Sequence, residues 1–192
     1  MTKALSFLFL SSISTLLAQE PTWRVDKSHS SVSFTVTHMV VSEVTGRFTD
    51  FNITFTSSKE DFSDAAVEAV IKAASINTDN ERRDSDLRSG SFFSADSFPE
   101  IHFKSDSFVH REGNKYGITG DLTIRNVTKK VTFDAEYRGS VKTQRGEVVA
   151  WKAALAINRF EYGLRWDRMI DTGGLVVGET VLIQVVLELR KT

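Results

Sequence analysis

Cysteine is absent from the 192 residues of this sequence. Its absence excludes disulfide frameworks, thiolate zinc sites, thiol catalysis and a cysteine-linked lipid anchor. Proline is rare, at 2 residues, and neither sign of charge dominates, since 24 Lys and Arg oppose 25 Asp and Glu. A net charge of −1 creates no field that would gather nucleic acid or an anionic membrane surface. We therefore expect no nucleic-acid partner.

Long hydrophobic runs are also missing, apart from one near the N-terminus. Lys3 precedes an apolar stretch over residues 4–18 that has small side chains near its end, and this pattern is typical of a secretory signal peptide. The stretch is shorter than the roughly 20 residues of a membrane-spanning helix. We predict that residues 1–18 are cleaved and that residues 19–192 form a single domain. The mature protein is expected to be periplasmic or secreted, without stable membrane insertion.

Most of the remaining sequence alternates between apolar and polar side chains. In residues 31–38, Val32, Phe34 and Val36 share one face, while Ser and Thr occupy the other. A period of two is typical of a strand that is buried on one side. The same pattern returns in residues 50–56, 67–73, 100–104, 115–124, 130–137, 149–157 and 180–189, with a weaker candidate at 23–25. Short strands separated by turn residues predict an all-β sandwich or barrel.

One segment, residues 77–99, lacks this alternation. Asp79 or Asn80 could cap a short helix over residues 81–88, and Gly90 could end it. We predict a helical excursion around residues 80–98 that covers one end of the sheet structure.

Motifs for catalysis or metal binding are scarce. The 4 histidines lack the spacing of metal ligands, and there is no Gly-x-Ser-x-Gly elbow, phosphate-binding loop or dinucleotide fingerprint. We predict no metal, no cofactor and no catalytic residue, so the protein is not expected to be an enzyme.

The inward-facing positions mix bulky and small side chains. Ala69, Ala135 and Ala153 alternate with aromatic and branched residues. An eight-stranded barrel is either just filled by its side chains or able to enclose one small ligand. The residue pattern alone leaves both a solid core and an apolar tunnel open.

Several ordered motifs resemble those of the YceI family, over about Trp23 to Leu189. The most specific stretch contains the run from Arg83 to Ser89 and the segment Phe98-Pro99-Glu100-Ile101, and the run from Ile157 to Gly163 completes the match. Two positions depart from the family pattern. Asp86 stands where the family usually has His, and Asn126 stands where Gly is usual. Asn tolerates the left-handed turn conformation, so the second departure is mild.

The resemblance implies a lipocalin-like, eight-stranded antiparallel barrel. It also implies a tunnel that binds, sequesters or transports an amphiphilic isoprenoid lipid, of the polyprenyl or isoprenoid quinone type. The predicted tunnel residues are Phe34, Val36, Phe51, Ile53, Ala69, Ile71, Phe103, Tyr116, Ile118, Leu122, Phe133, Trp151, Ala153, Leu155, Ile183 and Val185. The head-group candidates are Asn77, Arg83, Asp84, Asn158 and Arg159.

Two other interpretations stay open from the sequence. One is an enzyme that acts on a hydrophobic substrate inside the barrel, with Asp84 and either Arg83 or Tyr162 as acid and base. The other is a secreted domain with a filled core and no ligand. A homodimer is also left open.

Overall fold

The computed structural model describes residues 22–144, 146–171 and 173–191. The predicted signal peptide lies outside these residues. The elements are β1 (Thr22–Val25), β2 (Ser31–His38), β3 (Ser42–Phe48), β4 (Phe51–Thr56), β5 (Ala66–Lys72), β6 (Ile76–Asn77), α1 (Glu81–Arg88), β7 (Glu100–His110), β8 (Lys115–Ile124), β9 (Val127–Thr143), β10 (Gly146–Asn158) and β11 (Val177–Lys191). Short 3₁₀ turns occupy Ala73–Ser75 and Arg159–Tyr162.

The strands form a closed antiparallel barrel, in which three of the barrel strands each consist of two consecutive segments. One edge of β11 pairs first with β2, with Val185 opposite Val32, and then with β1, with Leu189 opposite Val25. Because β1 and β2 follow the same edge in the same direction, together they act as one strand. The same holds for β3 with β4 and for β5 with β6. These three composite strands and β7–β11 close an eight-stranded barrel, which confirms the predicted fold.

β3 is a strand that the alternation did not predict, and Gly46 explains why. A Cβ atom at Gly46 would lie 2.4 Å from Cζ of Phe34 on the neighbouring strand β2. A side chain at this position would have to displace the ring of Phe34, which occupies the space beside Gly46. A glycine in the middle of a short strand removes the apolar residue that would have marked the period of two.

One end of the barrel is closed by packed aromatic rings, which we call the aromatic floor. It consists of Trp23, Phe55, Phe62, Phe108, Tyr116, Tyr137 and Trp151. Phe62 comes from the loop between β4 and β5, and its ring centroid lies 5.2 Å from that of Trp151 in an edge-on contact. Edge-on and tilted packing are the favoured arrangements of aromatic pairs. The floor therefore seals this end with well-packed apolar groups.

Two segments cover the opposite end. The first, residues 78–99, contains α1 and is called the helix cap; the second, residues 159–171 and 173–176, is called the loop cap. The side chain of Asn80 accepts a hydrogen bond from the backbone N–H of Arg83, so Asn80 is the helix N-cap. The helix has the predicted bounds, and at its other end Ser89, directly before Gly90, is the C-cap, whose N–H donates to the carbonyl oxygens of Ser85 and Asp86.

Candidate functional site

The barrel encloses an apolar cavity between the aromatic floor and the two caps. The space open to the centre of a water molecule is about 170 Å³, whereas a single water needs about 10–15 Å³ by the same measure. The described residues that line this cavity are all apolar except Ser33 and Arg159. The barrel is therefore hollow. Its interior offers almost no group that could replace the hydrogen bonds that a water molecule loses when it leaves bulk solvent.

Most of the predicted tunnel residues line this cavity. They are Phe34, Val36, Ile53, Ala69, Ile71, Phe103, Ile118, Leu122, Phe133, Trp151, Ala153, Ile183 and Val185. They lie on strands whose alternation points every second side chain inward. Their contact with a lipid stays a prediction.

Three predicted tunnel residues lie elsewhere. Phe51 is buried beneath the ammonium group of Lys27, which lies 5.8 Å from its ring centroid. Tyr116 belongs to the aromatic floor, where its ring centroid lies 5.0 Å from that of Trp151. Leu155 is partly buried and packs against the core without lining the cavity. Inward orientation alone therefore did not decide which side chains face the open space.

The caps contribute lining residues that the period of two could not identify. Leu87, Phe92 and Phe93 come from the helix cap, and Leu164 comes from the loop cap. These segments have no strand periodicity. The adjacent pair Phe92-Phe93 was the sequence feature that could have identified them. Two neighbouring phenylalanines in a segment rich in charged residues indicate that the segment buries part of its surface.

Asp84 and Arg83, two of the head-group candidates, hold the helix cap together. The carboxylate of Asp84 is only 5% exposed and accepts hydrogen bonds from the N–H and the hydroxyl group of Thr78, at 2.9 and 2.6 Å. Arg83 donates through Nε to the Thr78 hydroxyl oxygen and through Nη2 to the Thr78 carbonyl oxygen. Neither residue lines the cavity. Both are occupied in joining α1 to the end of β6.

The two asparagine candidates also form local hydrogen bonds outside the cavity. Asn77 accepts a hydrogen bond from the N–H of Asp79 at 2.9 Å. Asn158 accepts one from the N–H of Phe160 at 2.9 Å, and its amide donates to Glu179 at 3.2 Å. Such contacts between a side chain and a nearby backbone group stabilise turns and helix starts.

Arg159 is the head-group candidate that does line the cavity. It is 4% exposed, and its guanidinium donates to four carbonyl oxygens, those of Leu164, Trp166, Val177 and Gly178. Burial lowers the pKa of Arg159, while the charges of Glu179 and Asp167 oppose that effect. Among the described residues, none of its hydrogen-bond partners is a carboxylate. Arg159 thus places a positive charge at the capped end of an apolar cavity, held by backbone carbonyl oxygens rather than by a direct ion pair among the described residues.

Tyr162 is buried at 1% exposure, and its hydroxyl group has no hydrogen-bond partner among the described residues. Burial raises the pKa of Tyr162 to about 12. Tyr162 does not line the cavity, and neither Asp84 nor Arg83 does. The geometry therefore does not bring the acid and base of the enzyme hypothesis to the cavity surface.

One group of potential metal ligands lies on the outer surface near the end of β11. Asp26, His29 and Glu188 place their ligand atoms within 4.8 Å of one another. Arg190 donates to both carboxylates, at 3.0 Å to Asp26 and 3.1 Å to Glu188. Because the arginine already neutralises these oxygens, the group is better described as an ion-pair network.

An eight-stranded antiparallel barrel that closes around an apolar cavity defines the class of lipocalin-like barrels. Within that class, the chain belongs to the YceI-like domain family, which matches residues 23–189. This confirms the resemblance seen in the motifs. In the described residues, no helical segment has the length and hydropathy that a membrane crossing requires.

Individual relatives agree with this assignment. The chain is 36% identical to a Staphylococcus aureus UPF0312 protein over 165 residues, which cover 85% of this chain and 94% of the relative. A Campylobacter jejuni YCEI protein superposes with a TM-score of 0.70 at 26% identity, covering 87% of this chain and 95% of the other. A polyisoprenoid binding domain from Saccharophagus degradans has a TM-score of 0.66 at 13% identity, covering 91% and 100%.

Proposed function

We propose that the protein binds an amphiphilic isoprenoid lipid in the barrel cavity, and sequesters or carries it rather than modifying it chemically. The observation that carries this proposal is the enclosed cavity, whose described lining is apolar except for Ser33 and Arg159. A structural neighbour is described as a polyisoprenoid binding domain, which supports the same class of ligand.

The apolar lining favours burial of a hydrocarbon tail. Each methylene removed from water contributes roughly 0.8 kcal/mol, so ten buried carbons contribute on the order of 8 kcal/mol before ordering costs. At that value, one methylene more or less changes affinity only about fourfold. We therefore propose selectivity for a class of lipid, rather than for one chain length.

The two ends of the cavity differ, and this gives the ligand a direction. The floor end is formed by aromatic rings such as Phe108 and Trp151, while Arg159 lies at the capped end. The apolar tail would point to the floor, and the polar head group would lie near Arg159. A positive charge in an apolar surrounding favours an anionic or strongly dipolar head group.

The proposal includes export of the protein. Residues 1–18 have the composition of a signal peptide, and a lipid that crosses an aqueous compartment needs an apolar enclosure. Isolation of the protein from its native host with Met1 still present would contradict the export.

Lipid binding is tested by replacing each of two alanines of β10 with phenylalanine. Ala153 lines the cavity, whereas Ala156 is exposed on the outer face of the same strand. We expect Ala153→Phe to reduce uptake of a long-chain isoprenoid quinone about tenfold or more, because the ring fills part of the cavity. Ala156→Phe is the matched control and should bind like the unmodified protein.

Native mass spectrometry and lipid extraction of protein from its own host identify the ligand. The proposal predicts a co-purifying prenyl lipid. A ligand-free spectrum together with no uptake of isoprenoid quinone or polyprenyl phosphate would contradict it. Equal uptake by Ala153→Phe and Ala156→Phe would also contradict it.

A further inference from the structure

The wall and the aromatic floor of the barrel are both barriers to a lipid that enters the cavity. The wall is a ring of paired strands, which β1 completes by pairing with both β4 and β11. Pairing between β9 and β10 stops at Asp134 and Ala154, and the unpaired stretch lies toward the capped end, where the turn Arg159–Tyr162 follows β10. At the floor, Phe62 lies between Trp23, Tyr137 and Trp151, with ring centroids 5.1–6.0 Å apart. A lipid could pass either of these only by breaking strand pairing or by unpacking several aromatic rings. The capped end is the remaining route.

At the capped end, two segments from distant parts of the chain meet. Phe92 of the helix cap and Leu164 of the loop cap both line the cavity. No strand pairing among the described residues joins the two caps. They touch through the rings of Phe92 and Trp166, whose centroids lie 5.6 Å apart.

Arg125 connects both caps to the barrel wall. It lies in the turn between β8 and β9, with a positive φ of 51°. Its Nη1 atom donates to the carbonyl oxygen of Phe92 at 2.8 Å and to that of Gly163 at 2.7 Å. Its guanidinium also lies over the ring of Phe98, 5.6 Å from the centroid. One nitrogen atom thus holds a backbone carbonyl of each cap.

Each cap also has its own attachment to the barrel that does not involve Arg125. The helix cap is held by Arg47 of β3, which donates to the carboxylate of Asp79 at 3.1 Å, and the loop cap by Arg159, which donates to the carbonyl oxygens of Val177 and Gly178 on β11. Release of Arg125 would therefore let the caps separate while each one stays folded. Arg125 does not line the cavity, so it is not placed to contact the bound tail.

We propose that ligand enters and leaves between the helix cap and the loop cap, and that Arg125 is the latch of this portal. The proposal rests on the proposed lipid binding, because it concerns the traffic of that ligand. Exchange of the ligand requires at least one of the two hydrogen bonds of Arg125 to open.

The first test is the exchange rate of a fluorescent polyene fatty acid in Arg125→Gln. We expect association and dissociation to accelerate about tenfold, the change that follows when one charge-assisted hydrogen bond no longer has to break. The equilibrium affinity should stay within about threefold, since both rates share the same barrier. Arg138→Gln is the control, because Arg138 pairs with Glu136 on the outer surface. Unchanged exchange rates in Arg125→Gln would overturn the latch.

Amide hydrogen exchange provides a second readout that needs no ligand. The N–H of Phe93 donates to the carbonyl oxygen of Leu87, and the N–H of Leu164 donates to that of Arg159, so each amide reports on the folding of its own cap. Because the caps separate as folded units, both amides should stay as protected in Arg125→Gln as the amides of β8. Faster exchange at either position would overturn the latch, since Arg125 would then hold a cap folded rather than hold the two caps together.

A reversible bridge between the caps tests the route itself. The sequence has no cysteine, so Phe92→Cys combined with Trp166→Cys gives the only two thiols. Joining them with a short bis-methanethiosulfonate reagent should block uptake of the probe, and reduction should restore it. Undiminished uptake in the bridged protein would overturn the portal. Failure of the unmodified protein to bind any lipid probe would instead overturn the proposed function, and the portal with it.

Discussion

The hydroxyl group of Thr78 donates a 2.6 Å hydrogen bond to the carboxylate of Asp84, and both residues are buried where β6 leads into α1. The same carboxylate oxygen also accepts the backbone N–H of Thr78. Asp84 is therefore an anchor for the helix cap, although its place in a polar, charged segment first made it a candidate for ligand contact.

Replacing this anchor should weaken the fold. Asp84→Ala leaves the N–H and hydroxyl of Thr78 without their acceptor, which costs about 1–3 kcal/mol for buried groups. Urea denaturation should show that loss in the free energy of unfolding. Asp86→Ala, at an exposed position of the same helix, is the control and should change stability by less than about 0.5 kcal/mol. Equal effects of the two substitutions would contradict the anchoring role.

Gly120 allows β7 and β8 to approach at the β-bulge between Ser105 and Ser107. A Cβ atom at Gly120 would lie 2.2 Å from the carbonyl oxygen of Lys104 and 2.7 Å from Cα of Ser105. Backbone atoms cannot move aside as a flexible side chain can. We expect Gly120→Ala to destabilise the protein by about 1–3 kcal/mol in thermal or urea unfolding.

Gly90 supplies the comparison for that substitution. A Cβ atom at Gly90 would meet no atom within 4 Å. Gly90→Ala should therefore be neutral or slightly stabilising, because it reduces the freedom of the unfolded chain. A loss at Gly90 as large as that at Gly120 would show that contact with the backbone is not the cause.

Tyr162→Phe should stabilise the protein. The hydroxyl group of Tyr162 is buried without a hydrogen-bond partner among the described residues, and such a group costs about 1–3 kcal/mol. Removing the oxygen while keeping the ring should recover part of that cost, seen as a higher midpoint of urea unfolding. A destabilised variant would mean that the hydroxyl has a partner in solution, such as a bound water molecule.

The same residue gives the protein a sensitivity to alkaline pH. Burial raises the pKa of Tyr162 to about 12, whereas tyrosine in an unfolded chain has a pKa of about 10. Between these values the unfolded chain releases the proton and the folded protein retains it. Stability is therefore complete below about pH 10 and falls as the pH rises toward 12. Tyr162→Phe should flatten that decline in unfolding measured at several pH values.

Asp26 gives the opposite sensitivity, at acid pH. Hydrogen bonds from His29, Ser28 and Arg190 hold the pKa of Asp26 well below its usual range, against a smaller opposing effect of burial. The unfolded chain takes up a proton near pH 4, but the folded protein does not. The contribution of Asp26 is thus present above about pH 4 and is lost as the pH falls toward the lower folded value. Asp26→Asn should reduce the loss of stability on acidification, whereas Asp96→Asn, at an exposed position, should not.

The alternation of side chains was sufficient to predict most of the barrel wall. Val36, Ile53 and Ile183 were placed correctly on the cavity side, because a strand with one buried face repeats every two residues. The pattern failed where a neighbouring element determines the residue. At Gly46 the ring of Phe34 fills the space that a side chain would occupy, and this contact across strands has no signature within β3 itself.

The polar part of the site was harder to predict for a related reason. Arg83, Asp84 and Arg159 are all charged residues outside the strands, and the sequence does not separate them. What separates them is the partner that folding supplies: Thr78 for the first two, and four carbonyl oxygens at the edge of the cavity for Arg159. Such partners are fixed by tertiary packing, which local patterns do not encode.

The ring of strands is completed by β1, whose Trp23 lies opposite Lys191 at the end of β11. The first and last strands are therefore neighbours at the floor, on the opposite side of the barrel from the portal. A circularly permuted chain could join these two ends by a short linker and open instead at Gly90, within the helix cap. Such a chain would keep every strand pairing while cutting the cap that Arg125 holds. Its stability would therefore report on the barrel alone, independently of whether the two caps close the portal.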